Sequence, residues 1–148
     1  MAERPEMPAI TPYLTVKGAA DAIAFYKKAF GAKETMRMPA EDGKRLMHAE
    51  IAVKGGVVML SDEFPEYSQT GAVHAPSRDK PAPVAVAIHM AKPAAVNTTF
   101  RRAVEAGCKS VMEPHDAFWG ARFAMLADPF GHRWMLNAPL PAKRKAKG

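Results

Sequence analysis

The chain repeats itself at about half of its 148-residue length. The helix-like stretch AADAIAFYKKAFGAK, which begins at Ala19, aligns with AAVNTTFRRAVEAGCK, which begins at Ala94, at an offset of 75 residues that becomes 76 after one insertion. Val-Met-Leu-Ser at 58–61 likewise matches Trp-Met-Leu-Asn at 134–137. The same order of helix, glycine stop and terminal strand predicts two similar modules, and the seam between them is a natural place for a pocket.

Composition excludes several classes of protein. With 48% hydrophobic and 24% charged residues, the chain is typical of an ordinary globular protein rather than a disordered one. No apolar run approaches the roughly 20 residues that a membrane-spanning helix requires, and no membrane partner is expected. Cys108 is the single cysteine and cannot form an intrachain disulfide, so we expect a cytoplasmic protein.

The net charge of +6 comes mostly from a basic tail at 139–148, which carries Lys143, Arg144, Lys145 and Lys147. A nucleic-acid groove needs a basic face with interleaved aromatic residues on the folded body, and the sequence shows no such pattern. We therefore expect no specific nucleic-acid partner.

Periodicity and glycine positions predict one order of elements, β-α-β-β-β, written twice. The predicted strands are 9–17, 33–39, 46–53, 57–61, 84–90, 109–113, 121–127 and 132–137, and the predicted helices begin at Ala19 and Ala94 and end at Gly31 and Gly107. We expect one domain over 1–148 with modules at about 8–62 and 83–138. The intervening 62–83 stretch is long for a connector, and it is either a lid or a crossover.

Two C-terminal motifs and the duplicated architecture carry a family resemblance. Phe118-Trp119-Gly120-Ala121-Arg122 and Asp128-Pro129-Phe130-Gly131-His132-Arg133-Trp134 resemble the glyoxalase/bleomycin-resistance/dioxygenase superfamily, also called vicinal oxygen chelate. The phosphonate-operon-type, "demethylubiquinone methyltransferase-like" branch is the most similar, although the chain lacks a nucleotide-type glycine-rich loop. The resemblance implies an α+β fold in which two βαβββ modules form curled antiparallel sheets around a shared pocket, and it implies a homodimer.

The resemblance also indicates where a metal would be bound. Metal-dependent relatives take one ligand from the first and last strand of each module, and these positions fall near Thr11, Met59, Val86 and Met135 here. A hydroxyl, two thioethers and an alkyl group do not replace the histidine and carboxylate ligands of a hard or borderline divalent ion. We therefore expect these residues to line a pocket that holds neither metal nor cofactor.

Other residues are candidates for the same pocket. His48 and Glu50 lie two residues apart and therefore share one face of a strand. They are either an acid/base or ligand pair in the pocket or part of an exposed polar face. Tyr13 lies two residues after Thr11, so it should face the same pocket. Trp119 and Trp134 are candidates for an aromatic wall of the pocket. Arg122 either anchors an anionic group of the ligand or forms a surface salt bridge.

These residues favour a small-molecule-binding protein without the usual metal centre. The expected ligand is flat or extended and mostly apolar, with one acidic group, because methionine-rich cavities adapt to such molecules. One alternative is a metal-dependent lyase, isomerase or dioxygenase with displaced ligands such as His48 and Glu50. The other is a non-catalytic structural module.

Overall fold

Each half of the chain forms a four-stranded sheet with one helix packed against it. The structure, a computed structural model, describes residues 1–67 and 74–142. The first half contains β1 (Tyr13–Val16), α1 (Ala19–Phe30), β2 (Lys33–Pro39), β3 (Leu46–Val53) and β4 (Gly56–Asp62), followed by one 3-10 turn at Pro65–Tyr67. The second half contains β5 (Ala85–His89), α2 (Pro93–Ala106), β6 (Lys109–Ala117), β7 (Ala121–Ala127) and β8 (Arg133–Pro139).

The two sheets have equivalent topologies. The strand orders are β1-β4-β3-β2 and β5-β8-β7-β6. The α+β class and the duplicated βαβββ order are therefore confirmed. Two details differ from the expectation. β1 and β5 run parallel to β4 and β8, so each sheet is mixed rather than antiparallel throughout. The sheets are also separate and do not close around a pocket within one chain.

The first strand is shorter than the sequence pattern predicted. It begins at Tyr13 rather than at residue 9, because proline has no N–H to donate to a sheet ladder and Pro12 therefore marks its boundary. The carbonyl of Pro12 still accepts a hydrogen bond from the Met59 N–H at 3.0 Å. Residues 1–12 lie outside the helices and strands.

The N-terminus of α1 is capped from a distant strand. The Asp62 carboxylate, at the end of β4, accepts hydrogen bonds from the N–H groups of Gly18 (2.8 Å), Ala19 (2.9 Å) and Leu46 (2.7 Å). The side chain of the N-cap residue normally satisfies such unpaired N–H groups. The N-cap residue here is Gly18, which has no side chain to do so. The cap therefore ties the helix to the sheet on which it packs.

The two halves pack together through their helices and one buried aromatic cluster. Trp134 of β8 lies with its ring centroid 5.2 Å from that of Tyr26 and 4.7 Å from that of Phe30, both on α1. Arg102 of α2 donates to the carbonyl of Lys28 at the C-terminal end of α1 at 2.7 Å. Because these contacts lie on the helix side of each sheet, the other face of each sheet points away from the core.

A fully buried carboxylate connects the halves. Asp128 Oδ2 accepts hydrogen bonds from the Tyr26 hydroxyl at 2.6 Å and the Trp134 indole N–H at 2.9 Å. Oδ1 accepts from the N–H groups of Phe130 (2.8 Å) and His132 (2.9 Å). Burial and this carboxylate together raise the pKa of Tyr26 well above its usual value, so its hydroxyl keeps its proton and donates.

The described end of the long connection packs on the turn between β7 and β8. The Ala82 N–H donates to the carbonyl of Gly131 at 2.8 Å. A Cβ at Gly131, where φ is +92°, would lie 2.6 Å from the backbone nitrogen of Ser77. This close approach requires glycine and anchors the second part of the crossover to the second module. A role as a lid stays a prediction, because 68–73 lies outside the described residues.

No helix among residues 1–67 and 74–142 has the length and apolar character needed to cross a membrane. The four basic residues that were predicted to form a charged tail lie outside the described residues. The single-domain organisation and its bounds stay predictions.

We expect Asp128→Ala to destabilise the protein strongly. The change removes the acceptor of four donors, three of which belong to buried residues, and breaking such a buried charged network costs about 3–5 kcal/mol of unfolding free energy. Urea unfolding followed by circular dichroism measures this loss. The matched control is Asp116→Ala, which removes an exposed pair with Arg122 and should cost about 0–1 kcal/mol. Equal losses for the two variants would contradict the role of Asp128.

Candidate functional site

The face of the first sheet that points away from the helices carries the main cluster of polar side chains. Strand pairing aligns one residue from each strand into a row across this sheet. Tyr13 pairs with Met59, Met59 with Glu50, and Glu50 with Met36. We call these four residues the first row. Leu14, Ile51 and Leu60 have the opposite parity and are buried on the helix side.

A linear hydrogen-bond network crosses this face. His48 Nε2 lies 2.8 Å from Glu50 Oε2, and His48 Nδ1 lies 2.9 Å from the hydroxyl of Tyr13. A carboxylate only accepts, so Nε2 carries the proton, and in the neutral imidazole Nδ1 accepts from the tyrosine. The predicted sharing of one strand face by His48 and Glu50 is confirmed, and Tyr13 joins them.

The fourth member of the network was not anticipated. Arg4 Nε donates to Glu50 Oε1 at 2.8 Å, and its Nη2 donates to Oε2 at 3.0 Å, which makes a bidentate pair. The Arg4 side chain is 55% exposed, whereas that of Glu50 is 2% exposed. Arg4 belongs to a segment without strand or helical periodicity, so no sequence signal placed it at this site.

The network keeps a buried carboxylate charged. The two hydrogen bonds from Arg4 are the main reason that the pKa of Glu50 lies below its ordinary value, and the bond from His48 adds to the effect. Burial acts in the opposite direction because it disfavours the charged form. The site is therefore a charged carboxylate, paired with the Arg4 guanidinium, within a methionine-lined sheet face.

The second sheet carries an equivalent row without the polar groups. Ala87 pairs with Met135, Met135 with Met125, and Met125 with Met112. We call these four residues the second row. Trp119 lies on the same face, with its ring centroid 5.4 Å from that of Phe123. Duplication thus placed methionines at equivalent positions, whereas the acid and the phenol occur in the first row only.

Two predicted pocket positions are displaced. Thr11 precedes β1 and donates to the carbonyl of Pro8 at 3.2 Å, so Tyr13 is the residue that pairs with Met59. Val86 pairs with Trp134, and its side chain packs on the helix-facing core. The residue beside Met135 is Ala87. The prediction that Thr11 and Val86 line one pocket with the two methionines was wrong. Thr11 lies before the start of β1, and Val86 falls on the other face of its strand because the first-strand offset is 74 rather than 75.

Two other predicted site residues lie on the helix side. Trp134 is fully buried against α1 rather than in an aromatic pocket wall. Arg122 donates from Nε to Asn97 of α2 at 3.1 Å and from Nη1 to Asp116 at 3.0 Å. The salt-bridge alternative for Arg122 therefore describes its environment, and Arg122 does not lie beside the first row.

At least three grooves lie outside the polar network, and one of about 510 Å³ runs between α2 and β6. One of about 360 Å³ follows the seam between the modules and includes Val86, Trp134, Ile10 and His89 in its lining. A larger groove of about 600 Å³ lies near the end of the first sheet. Its lining residues are Ala40, Glu41, Asp42, Arg45, Met47, Phe64 and Tyr67. We favour the first-sheet face because polar side chains converge there on the buried carboxylate of Glu50, and convergent polar groups are the usual mark of a specific site.

The residues of the two rows do not fit a divalent metal. The positions from the terminal strands are Tyr13, Met59, Ala87 and Met135, which supply one phenol and two thioethers. Across residues 1–67 and 74–142, no three His, Cys, Asp or Glu side chains are grouped so that they could hold an ion. His48 and Glu50 bind each other, and Arg4 occupies both carboxylate oxygens.

Fold and sequence comparison define the family. The chain belongs to the Glyoxalase/Bleomycin resistance protein/Dioxygenase superfamily, whose family model matches residues 8–136. An uncharacterized protein of Mycobacterium bovis is 41% identical over 133 residues, which cover 90% of this chain and 84% of that protein. The resemblance expected from the C-terminal motifs is thus confirmed.

Solved structures show the same fold. A protein of Pseudomonas aeruginosa matches with a TM-score of 0.68 and 24% identity, over 89% of this chain and 98% of its own. A PhnB protein from Bacillus cereus matches with a TM-score of 0.65 and 18% identity, over 90% and 100% of the two chains. The second match agrees with the branch indicated by the sequence, at the level of fold.

We expect Arg4→Met to reduce stability in a pH-dependent way. A carboxylate whose pKa is lower in the folded state than its ordinary value of 4.5 contributes stability above that value, and this contribution is lost as the pH falls through the folded pKa. The loss caused by Arg4→Met should therefore be largest near neutral pH and shrink in acid. Urea unfolding across the pH range measures it.

The control for this prediction is the same change in a Glu50→Gln background. Without the titrating carboxylate, the effect of Arg4→Met should no longer depend on pH in the acid range. A pH dependence that persists in this background would show that Arg4 acts through another group.

Proposed function

We propose that this protein binds a small, mostly apolar organic molecule on the first-sheet face, without the metal centre used by other members of its superfamily. The observation that carries the proposal is the first row. It places two methionines and a tyrosine around a buried, charged carboxylate, on a sheet face that the protein's own helices leave open. Such a face has apolar surface for affinity and a few polar groups for orientation.

The soft side chains determine the shape of ligand. Met36, Met59 and the nearby Met38 are unbranched and polarizable, and thioethers adapt to flat or irregular apolar groups. Burial of a ligand against them contributes about 25 cal/mol per Å² of apolar surface removed from water. The acidic group expected on the ligand has no support, because Arg122 lies on the helix side of the other sheet.

A homodimer completes the proposal. The second-sheet face exposes Met112 (43%) and Trp119 (53%), and Phe118 beside them is 98% exposed. Contiguous apolar surface of this kind marks an interface or a binding site. A second copy that places its second row over the first row would cover both faces and enclose the ligand between them. The cytoplasmic location predicted from Cys108 belongs to the same proposal.

The enzyme alternative needs rearrangement of the network. His48 and Glu50 could act as displaced metal ligands only if Arg4 left both carboxylate oxygens and the histidine turned its Nε2 away from Glu50. A purely structural module needs no buried charge on an open sheet face. Buried charged groups are costly unless they are paired, so the network favours a binding role over that alternative.

We expect Met59→Glu to weaken binding of the neutral dye Nile red by about tenfold or more, which corresponds to about 1.4 kcal/mol. The new carboxylate would lie beside Glu50, where the two negative charges repel and an apolar guest would desolvate both. Fluorescence titration measures the affinity. Val104→Glu, which changes an exposed residue of α2, should leave binding at the parent level. Unchanged binding by Met59→Glu would place the ligand elsewhere.

We expect protein purified without chelators to contain no stoichiometric Ni, Zn, Fe or Mn, since the row positions lack suitable ligands. Elemental analysis tests this directly. About one metal ion per chain that is lost on His48→Ala or Glu50→Gln would instead support the enzyme alternative.

A further inference from the structure

The carboxylate of Glu50 offers a planar two-point binding slot. Arg4 approaches both of its oxygens with two parallel N–H groups, at 2.8 and 3.0 Å. The guanidinium belongs to Arg4, which lies in a segment without secondary structure. It is therefore a cation attached to the sheet by a loop and not a residue of the sheet itself. We call residues 1–12 the N-terminal strap. Its main-chain links to the sheet include the Ala2 N–H to the Glu34 carbonyl at 3.0 Å.

The two sides of this ion pair differ sharply in solvent exposure. The carboxylate is nearly inaccessible, while more than half of the Arg4 side chain remains in water. Withdrawal of the arginine would therefore return an exposed cation to solvent at little cost in solvation. The Glu50 carboxylate would still accept the hydrogen bond from His48 Nε2. Its buried negative charge would then require another cation.

We propose that the Arg4 guanidinium occupies a subsite for the cationic end of the ligand, and that a planar amidinium or guanidinium group on an apolar body displaces it. This inference rests on the proposed binding function of the first-sheet face and adds a class of ligand to it. The fork of Glu50 accepts two parallel N–H donors, a geometry that a planar cation matches and an ammonium does not. The methionines and Tyr13 of the first row contact the apolar body.

The rest of the network supports this selectivity. Thr35 Oγ1 donates to the Glu50 carbonyl at 3.2 Å, and His48 is held between Glu50 and Tyr13. Thr35 thus holds the main chain of Glu50 and His48 holds its carboxylate while the strap exchanges. Because the strap competes as part of the same chain, it lowers the apparent affinity for any cation that uses the slot.

The test is titration of benzamidine, a planar amidinium on a phenyl ring, into the full-length parent and Arg4→Ala at neutral pH, followed by NMR chemical shifts. Removal of the competing guanidinium should strengthen benzamidine binding by about tenfold. Benzamide, the neutral counterpart, should gain nothing, and benzylamine should gain less than benzamidine. Adding Glu50→Gln to Arg4→Ala should remove the gain.

Arg101→Ala is the matched control for charge. Arg101 is an exposed residue of α2, so its removal changes the net charge equally without opening Glu50. It should bind benzamidine with the parent affinity. A gain equal to that of Arg4→Ala would show a general electrostatic effect and overturn the proposal.

A measurement on the parent protein does not depend on how the variants fold. The Arg4 Nε–H is hydrogen-bonded to Glu50, and its NMR signal should shift toward that of a solvent-exposed arginine as benzamidine saturates the site. An unchanged signal at saturation, or benzamidine binding that survives Glu50→Gln, would overturn the inference. Nile red binding that is retained in these variants and lost in Met59→Glu would leave the proposed function standing without the cation subsite.

Discussion

The buried carboxylate of Asp128 is the interaction on which the arrangement of the two halves depends. Its four donors come from α1, the turn after β7 and the start of β8. A fully buried charge tolerates no missing partner, so these elements have one mutual placement that satisfies it. Tyr26 and Trp134 reach it from different halves, and their rings form the centre of the shared core.

This packing has a direct consequence for function. Since the halves join through their helix sides, neither helix covers the other face of its sheet. Among the described residues, the N-terminal strap reaches the first of these faces through Arg4. The first and second rows are duplicated versions of one another, with methionines retained at two equivalent positions, 36 with 112 and 59 with 135. Glu50 and Tyr13 are matched by Met125 and Ala87, so the polar chemistry belongs to one half.

Sequence reasoning anticipated part of the candidate site. A spacing of two residues correctly placed His48 and Glu50 on one face, because side chains alternate along a strand. The same alternation made the predicted placement of Val86 wrong, since an error of one residue moves a side chain to the other face of the sheet. Arg4 was missed because its segment has no periodic pattern. Trp134 was misplaced, and Arg122 was left open between an anchor and a salt bridge, because an aromatic or basic residue does not reveal which face of its strand it occupies.

The sequence by itself determined the order of elements and the duplication. Hydrophobic periodicity and the helix-ending glycines are local signals, and they identified both helices and all eight strands with errors mainly at the ends. The tertiary structure decided which strand faces remained open and which side chains met there. Those outcomes depend on strand register and on contacts such as that between Tyr26 and Asp128, which are 102 residues apart. Local patterns carry no information about partners at that separation, because only the folded chain brings them within hydrogen-bonding distance.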